Sequence, residues 1–301
     1  MKEAIETREL IVLDGLDVII RGTYHKTHDD CSYVRSKFME RGRIGVLFMN
    51  SPSPTRAAQG DSAVYWADSF AERGYPSFRL DLPGSGDSEG DPPTEFGQGR
   101  YASIAAVKIR ELVTRFNLEG VVIVDQCLSG ISALYAAASC PECKGLVLMD
   151  PCFDLGPAIR KRSGDRALQS CRRFSINIFD PKRAHLFRGT ASIENSDPPL
   201  LRRWKEVAST GLPILIFKAL NRKPMVGEFE YFQYVVGLAG RKSQVVINVL
   251  DGAEHSFTSR PRRVAVRTRT EQWLDACFPL GKTQRTCYET LGSQTMTKKA
   301  Q

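Results

Sequence analysis

Cys127 stands where an apolar run, VVIVDQ, turns abruptly into a small-residue helical pattern, SGISALYAAAS. A side chain on such a turn is lifted above the carboxyl edge of a sheet. The helix that follows offers a positive dipole and backbone N–H groups to a developing oxyanion. A thiol at a helix N-terminus beside an imidazole ionises more readily than a free one, and its thiolate attacks acyl carbonyls to give an acyl-cysteine. The plainer alternative is a buried cysteine acting as a small hydrophobe at a strand end. The tight turn favours the reactive reading.

A base is needed for that chemistry, and the chain has four histidines: His25, His28, His185 and His255. His25 and His28 lie beyond an early hairpin and His185 in an Arg-rich stretch, which suits surface or cap residues. His255 lies in INVLDGAEHSFTSR, the loop after the last strand-like run. Two other signals are set aside. Cys140-Pro-Glu-Cys143 has the spacing of half a zinc site, but no second pair follows at a suitable distance, so no metal is expected. GSGDSEG lacks the Gly-Lys-Ser/Thr of a phosphate loop and reads as turn chemistry, and no cofactor is expected.

The elements that must position these residues are legible as short β-type runs alternating with helical patterns, which predicts βαβ units and a mostly parallel sheet. Residues 11–25 read as an antiparallel hairpin, and IGVLFMN (44–50) as a strand buried on both faces. A helix over 61–74 closed by Gly74, a strand over 76–82 and a helix near 100–116 follow. Then come the strand 120–125, the helix 129–139 and the strand 145–150. The alternation breaks over 151–210. It resumes with LPILIFKAL (212–220), a helix near 227–239, SQVVINVL (243–250) and a helix near 260–277.

In that order, LFMNSPSPTR, FRLDLPGSGDSEG, VIVDQCLSG, LVLMDP and GAEHSFTSR resemble the α/β-hydrolase superfamily. They look most like the exosortase-system-associated hydrolases, a group with cysteine at the nucleophile elbow. The resemblance covers nearly the whole chain. It implies an α/β-hydrolase fold, a mostly parallel twisted sheet flanked by helices with an inserted cap. Residues 1–150 would form the first part of the core, 151–210 the cap, 211–280 the second part of the core and 281–301 a polar tail.

Laid on the superfamily's strand, G-x-S-x-G, helix pattern, Cys127 falls at the nucleophile and Asp125 and Ser129 at the two glycines. Taking Ser129 as nucleophile instead would put it inside the helix and the β-branched Ile131 where a small residue is wanted. The resemblance makes His255 the catalytic base. It also implies an acid after LPILIFKAL, yet the chain continues Asn221-Arg222-Lys223-Pro224, with no carboxylate before Glu228. Three candidates stay open: Asn221 orienting the ring through its amide oxygen, Asp150 doing so as a carboxylate, and Glu228 if its loop folds back. Asn221 ranks ahead of Asp150. The oxyanion hole would combine the N–H of Leu128 with that of Ser51 or Ser53, because Pro52 has none to give. Arg56 would bind a substrate carboxylate or phosphate, or else form a surface salt bridge.

Of the 301 residues, 42% are hydrophobic and 25% charged, which excludes a disordered or fibrous chain. The first residues carry charge throughout and no run approaches a membrane span, so a cytoplasmic protein with no membrane span is expected. Eight unevenly spaced cysteines are expected to be reduced thiols. The net charge of +8 and the dense arginines between Arg160 and Lys205 suit an anionic substrate, an acyl-CoA or an acyl carrier protein, or simply a solvated basic face. Nucleic acid is not expected, since no aromatics interleave with the basic run. The expected function is hydrolysis of a small-molecule ester or thioester through acyl-Cys127. The alternatives are an acyltransferase or cyclase passing the acyl group to an amine, alcohol or carrier thiol, and a non-catalytic ligand-binding member of the fold.

Overall fold

The structure is a computed structural model that describes residues 7–14, 18–31, 43–49, 55–91, 100–127, 129–151, 153, 198–220, 228–240 and 243–280. Two strands, β1 (Arg8–Leu13) and β2 (Ile20–His25), are followed by a short helix α1 (His28–Cys31), β3 (Arg43–Phe48), α2 (Ser62–Glu72) and β4 (Ser77–Leu80). The chain continues through α3 (Arg100–Arg115), β5 (Leu118–Gln126), α4 (Ser129–Ser139) and β6 (Cys143–Met149). After the break come α5 (Pro198–Ser209), β7 (Pro213–Leu220), α6 (Glu228–Gly237), β8 (Gln244–Asp251) and α7 (Arg260–Cys277).

All eight strands join one sheet in the order β1-β2-β4-β3-β5-β6-β7-β8. The entering hairpin is antiparallel, as is the pairing of β2 with β4, and every later pair is parallel. The near-continuous apolar runs of the central strands have a direct structural cause. Alternate residues feed two cores, and both faces must be covered. Val121, Ile123, Leu146, Leu148, Ile214 and Ile216 point to one side, where α3 to α6 supply Ile109, Leu134, Trp204 and Val235. Val122, Val124, Val147, Met149, Leu215 and Phe217 point to the other, against Trp66 and Phe70 of α2 and Trp273 and Leu274 of α7. The buried indoles of Trp66 and Trp204 spend their N–H groups on the carbonyls of Arg263 and Val235, at 3.0 and 2.7 Å. Truncating either ring to alanine would cost roughly 3–5 kcal/mol.

The elements match the expected alternation, with β1 beginning at Arg8, ahead of the expected hairpin. The stretch expected to form a cap lies largely outside the described residues. At its end, α5 lays Leu200, Trp204, Val207 and Ala208 into the core beside α4. The expectation of uniformly reduced cysteines needs correcting. Cys127, Cys140 and Cys143 are free thiols, whereas Cys277 at the end of α7 is disulfide-bonded. Spacing in sequence says little about which thiols a fold brings within bonding distance. Among the described residues, no helix is long and apolar enough to cross a membrane.

Candidate active site

The parallel strands all point their carboxyl ends the same way, so the residues that follow β5, β6 and β8 share one rim of the sheet. Those residues are Cys127, Asp150 and the loop bearing His255.

Cys127 sits between β5 and α4 with φ 55°, a left-handed conformation that few non-glycine residues adopt. Such strain costs on the order of 1 kcal/mol and persists where the surroundings over-determine it. They do so here. The Cys127 N–H donates to the Met149 carbonyl at 3.0 Å, and the Cys127 carbonyl accepts from Gly130 N–H at 3.2 Å. The two residues at the superfamily's glycine positions are also engaged. Ser129 Oγ donates to the Gln126 carbonyl at 2.7 Å, bracing the turn from inside. Asp125, buried at the end of β5, accepts from Met49 N–H at 3.1 Å and so ties the turn to the start of the loop after β3.

Asp150 also has a positive φ, 44°, immediately after β6. Its N–H donates to the Phe217 carbonyl at 2.6 Å, which locks the strand end against β7. The carboxylate then divides its oxygens. Oδ2 lies 2.5 Å from His255 Nδ1, and Oδ1 lies 2.6 Å from Lys218 Nζ, with Ala219 N–H at 3.4 Å. The His255 loop is pinned from two sides. Phe257, fully buried with φ 51°, packs edge-on against Phe217, and the Gln126 side-chain amide donates to the His255 carbonyl at 2.5 Å. Immediately before His255, Glu254 accepts from Ser259 N–H at the N-cap of α7, and this bonding holds its carboxyl below the ordinary range against the effect of burial.

With Nδ1 committed to Asp150, Nε2 is left to face Cys127, whose side chain acts on the ring. Burial pushes the imidazole pKa down, but the charge of Cys127, the hydrogen bonds to Asp150 and Cys127 and the charge of Asp150 carry it well above its ordinary value. Asp150 moves the other way. Burial raises its carboxyl, and the bond and charge of His255 with the charge of Lys218 bring it below the usual range. The ring is held ready to be positively charged between a sulfur and a carboxylate. Its side chain is half-buried, 39% exposed.

The structure therefore brings Cys127, His255 and Asp150 together. Asn221, Leu128, Ser51 and Ser53 lie outside the described residues, and nothing is described of the Glu228 side chain. Arg56 is taken up inside the protein. It ion-pairs with Asp81 and, at 2.8 Å, with Asp87, and its Nε donates to Thr23 Oγ1 at 3.0 Å. Beside it, Arg79 donates to the Arg56 carbonyl at 3.1 Å and to His25 Nε2 at 2.7 Å, while His25 Nδ1 meets Asp68 at 2.7 Å. Burial lowers the pKa of His25, so it serves here as a neutral bridge between Arg79 and Asp68. Cys140 and Cys143 are buried, and burial pushes their thiols up to about 11 and about 12. Among the described residues, no group of three or more His, Cys, Asp or Glu could hold a metal ion.

Two site residues escaped the sequence reading. Gln126 gave no signal, because only the return of the last loop over β5 shows what its amide meets. Lys218 did give one. A lysine inside ILIFKAL, a strand apolar on both faces, cannot be buried without an anionic partner.

No family model and no curated protein matches the sequence. Solved structures do. An esterase from Pyrococcus furiosus superposes with a TM-score of 0.62 at 13% identity, over 89% of this chain and 90% of that one. An α/β hydrolase from Penicillium gives a TM-score of 0.55 at 17% identity over 88% and 97%. A serine hydrolase homologue from Coxiella burnetii gives 0.53 at 15% identity over 90% and 99%. The chain has the α/β-hydrolase fold. In an open, mostly parallel sheet the carboxyl ends of the strands form the crevice the fold offers for ligands, and Cys127, Asp150 and His255 lie on that rim.

Proposed function

We propose that the protein is an acyl hydrolase that cleaves an ester or thioester through an acyl-Cys127 intermediate. The observation that carries this reading is the chain of contacts from Cys127 to His255 to Asp150, built on a strained strand-to-helix turn. The naming of two fold neighbours as an esterase and a serine hydrolase homologue supports it.

In the first half-reaction the Cys127 thiolate attacks the carbonyl carbon. The tetrahedral intermediate collapses as the bond to the leaving oxygen or sulfur breaks, and the His255 Nε2–H proton goes to the leaving group. In the second, His255 Nε2 takes a proton from water while the hydroxide attacks the thioester carbon. The C–S bond breaks, a carboxylic acid is released, and the thiolate and protonated ring are restored. Asp150 holds the ring's orientation throughout. The N–H of Leu128, with Ser51 or Ser53, is assigned to the oxyanion. The small-molecule substrate class includes acyl-CoA and acyl carrier thioesters.

The test is turnover of p-nitrophenyl acetate and acetyl-CoA by wild type, Cys127→Ala and Ser129→Ala. The reading predicts loss of turnover only in Cys127→Ala. Equal turnover by Cys127→Ala and wild type would remove the acyl-cysteine. Adding an amine or thiol acceptor separates hydrolysis from transfer, because a hydrolase releases free acid at the same rate with or without it. A protein whose Cys127 ignores both substrates and iodoacetamide at neutral pH would be a ligand-binding member of the fold.

A further inference from the structure

Lys218 forms a charged contact in this site that the steps above leave unused. It lies in β7 between β6 and β8, only 5% exposed, with its Nζ 2.6 Å from Asp150 Oδ1 and 5.8 Å from the centre of the Phe232 ring. A buried ion pair is a poor way to add stability, since apolar replacements of both partners are often neutral or better. Backbone N–H groups alone can satisfy the far oxygen of such an acid, and the Ala219 N–H already stands at 3.4 Å. The position of the ammonium therefore points to chemistry.

The two half-reactions make opposite demands on the ring. Before acylation, His255 must carry a proton for the leaving group, and two groups favour the charged ring, Cys127 and Asp150. After acylation, the sulfur is an uncharged thioester, and of these two groups Asp150 alone still pulls. A ring facing an unopposed buried carboxylate would take a proton from solvent and could no longer accept one from water. The groups that act most strongly on Asp150 are His255 and Lys218, so Lys218 is the cation placed to offset that pull.

We propose that Lys218 is a positioning residue for the second half-reaction: its ammonium on Asp150 Oδ1 offsets the carboxylate, so that His255 stays unprotonated and serves as the base toward water once Cys127 carries the acyl group. This rests on the acyl-Cys127 reading. It assigns the switch between the ring's two roles to the loss of the thiolate charge, with Lys218 setting where the ring settles afterwards.

The test uses wild-type protein whose Cys127 has been capped with iodoacetamide, which leaves the sulfur uncharged as in the acyl-enzyme, and follows His255 by nitrogen-labelled histidine NMR across pH. The capped ring is expected to titrate below the uncapped one, and in Lys218→Met it should move back up by about one unit or more. Lys218→Arg should restore the wild-type value. With p-nitrophenyl acetate, Lys218→Met should show a full first-turnover burst followed by deacylation slowed by about threefold to tenfold at pH 7, recovering as the pH is raised. A capped wild-type ring that stays protonated at pH 9 would overturn the proposal without any variant. An unchanged titration in folded Lys218→Met would overturn it equally. If Cys127 takes neither the cap nor an acyl group, the enzymatic reading fails on its own. The same titrations in Cys127→Ala then decide whether Lys218 acts on the ring.

Discussion

Asp150 reaches His255 from the end of β6, with its Oδ2 2.5 Å from the ring's Nδ1. Because β6 lies between β5 and β7 in the sheet, the acid rises beside the Cys127 turn and not across from it. Asp150→Asn should keep this geometry while removing the charge, and lower acyl turnover roughly 100-fold, the low end of what acid–base groups contribute. Asn221→Ala should stay near wild type. A fall in Asn221→Ala as deep as in Asp150→Asn would show that the wrong residue has been assigned to the ring. Steady-state rates on p-nitrophenyl acetate decide it.

The same carboxylate neutralises Lys218, so its removal leaves a buried ammonium without its anion. Asp150→Ala should cost about 3–5 kcal/mol in urea unfolding, and adding Lys218→Met should recover most of that loss. A double variant as unstable as the single one would mean that the pair is not the source of the cost.

The strain at Cys127 predicts that stability and activity separate when the residue becomes glycine. Cys127→Gly relieves the left-handed backbone, on the order of 1 kcal/mol, against a similar entropic penalty for glycine in the unfolded chain. Its melting temperature should therefore stay at or above that of the wild type while acyl turnover is lost. A fall of several degrees would show that the cysteine side chain supports the fold through packing.

Paired carboxylates, Asp68 and Asp150 among them, contribute to the acid limit of stability. Burial raises Asp68, but its bonds to His25 Nδ1 at 2.7 Å and Arg8 Nε at 2.9 Å bring its pKa down from 3.8 to about 2, and Asp150 is lowered in the same direction. A carboxyl held lower in the folded chain than in the unfolded one stabilises above the unfolded value and loses that contribution as pH falls through the folded value. For Asp68 the window runs from 3.8 down to about 2. His255, raised by its partners, acts in the opposite sense, contributing at low pH and losing that contribution as pH rises well past 6.5. Melting temperatures measured across the acid range should fall less steeply in Asp68→Asn than in wild type, and parallel curves would contradict the pairing.

Much of the fold could be read from the sequence because strands buried on both faces leave unbroken apolar runs. VVIVD and PILIF are such runs, and both are central strands. Cys127 was legible for a related reason, since few residues separate its strand from its helix. Long-range pairing was less legible. The ring's partner was sought first after β7, where the resemblance places it, and Asp150 stood as a candidate behind Asn221. Only the sheet order shows that the ends of β6 and β8 lie within reach of a single ring. Lys218 was visible as a lone charge in an apolar strand, but the identity of its partner depended on the register that sets β7 against β6. For Arg56, sequence left a substrate contact and a salt bridge open, and the side chain is spent on Asp81 and Asp87.

The account stands most directly on what becomes of Cys127 during turnover. Mixing the protein with p-nitrophenyl acetate, quenching in acid within the first turnover and measuring intact mass should show one acetyl group, mapped by peptide digestion to Cys127 and missing from Cys127→Ala. An acetyl group on Ser129, or steady release of p-nitrophenol with no adduct on any residue, would contradict it.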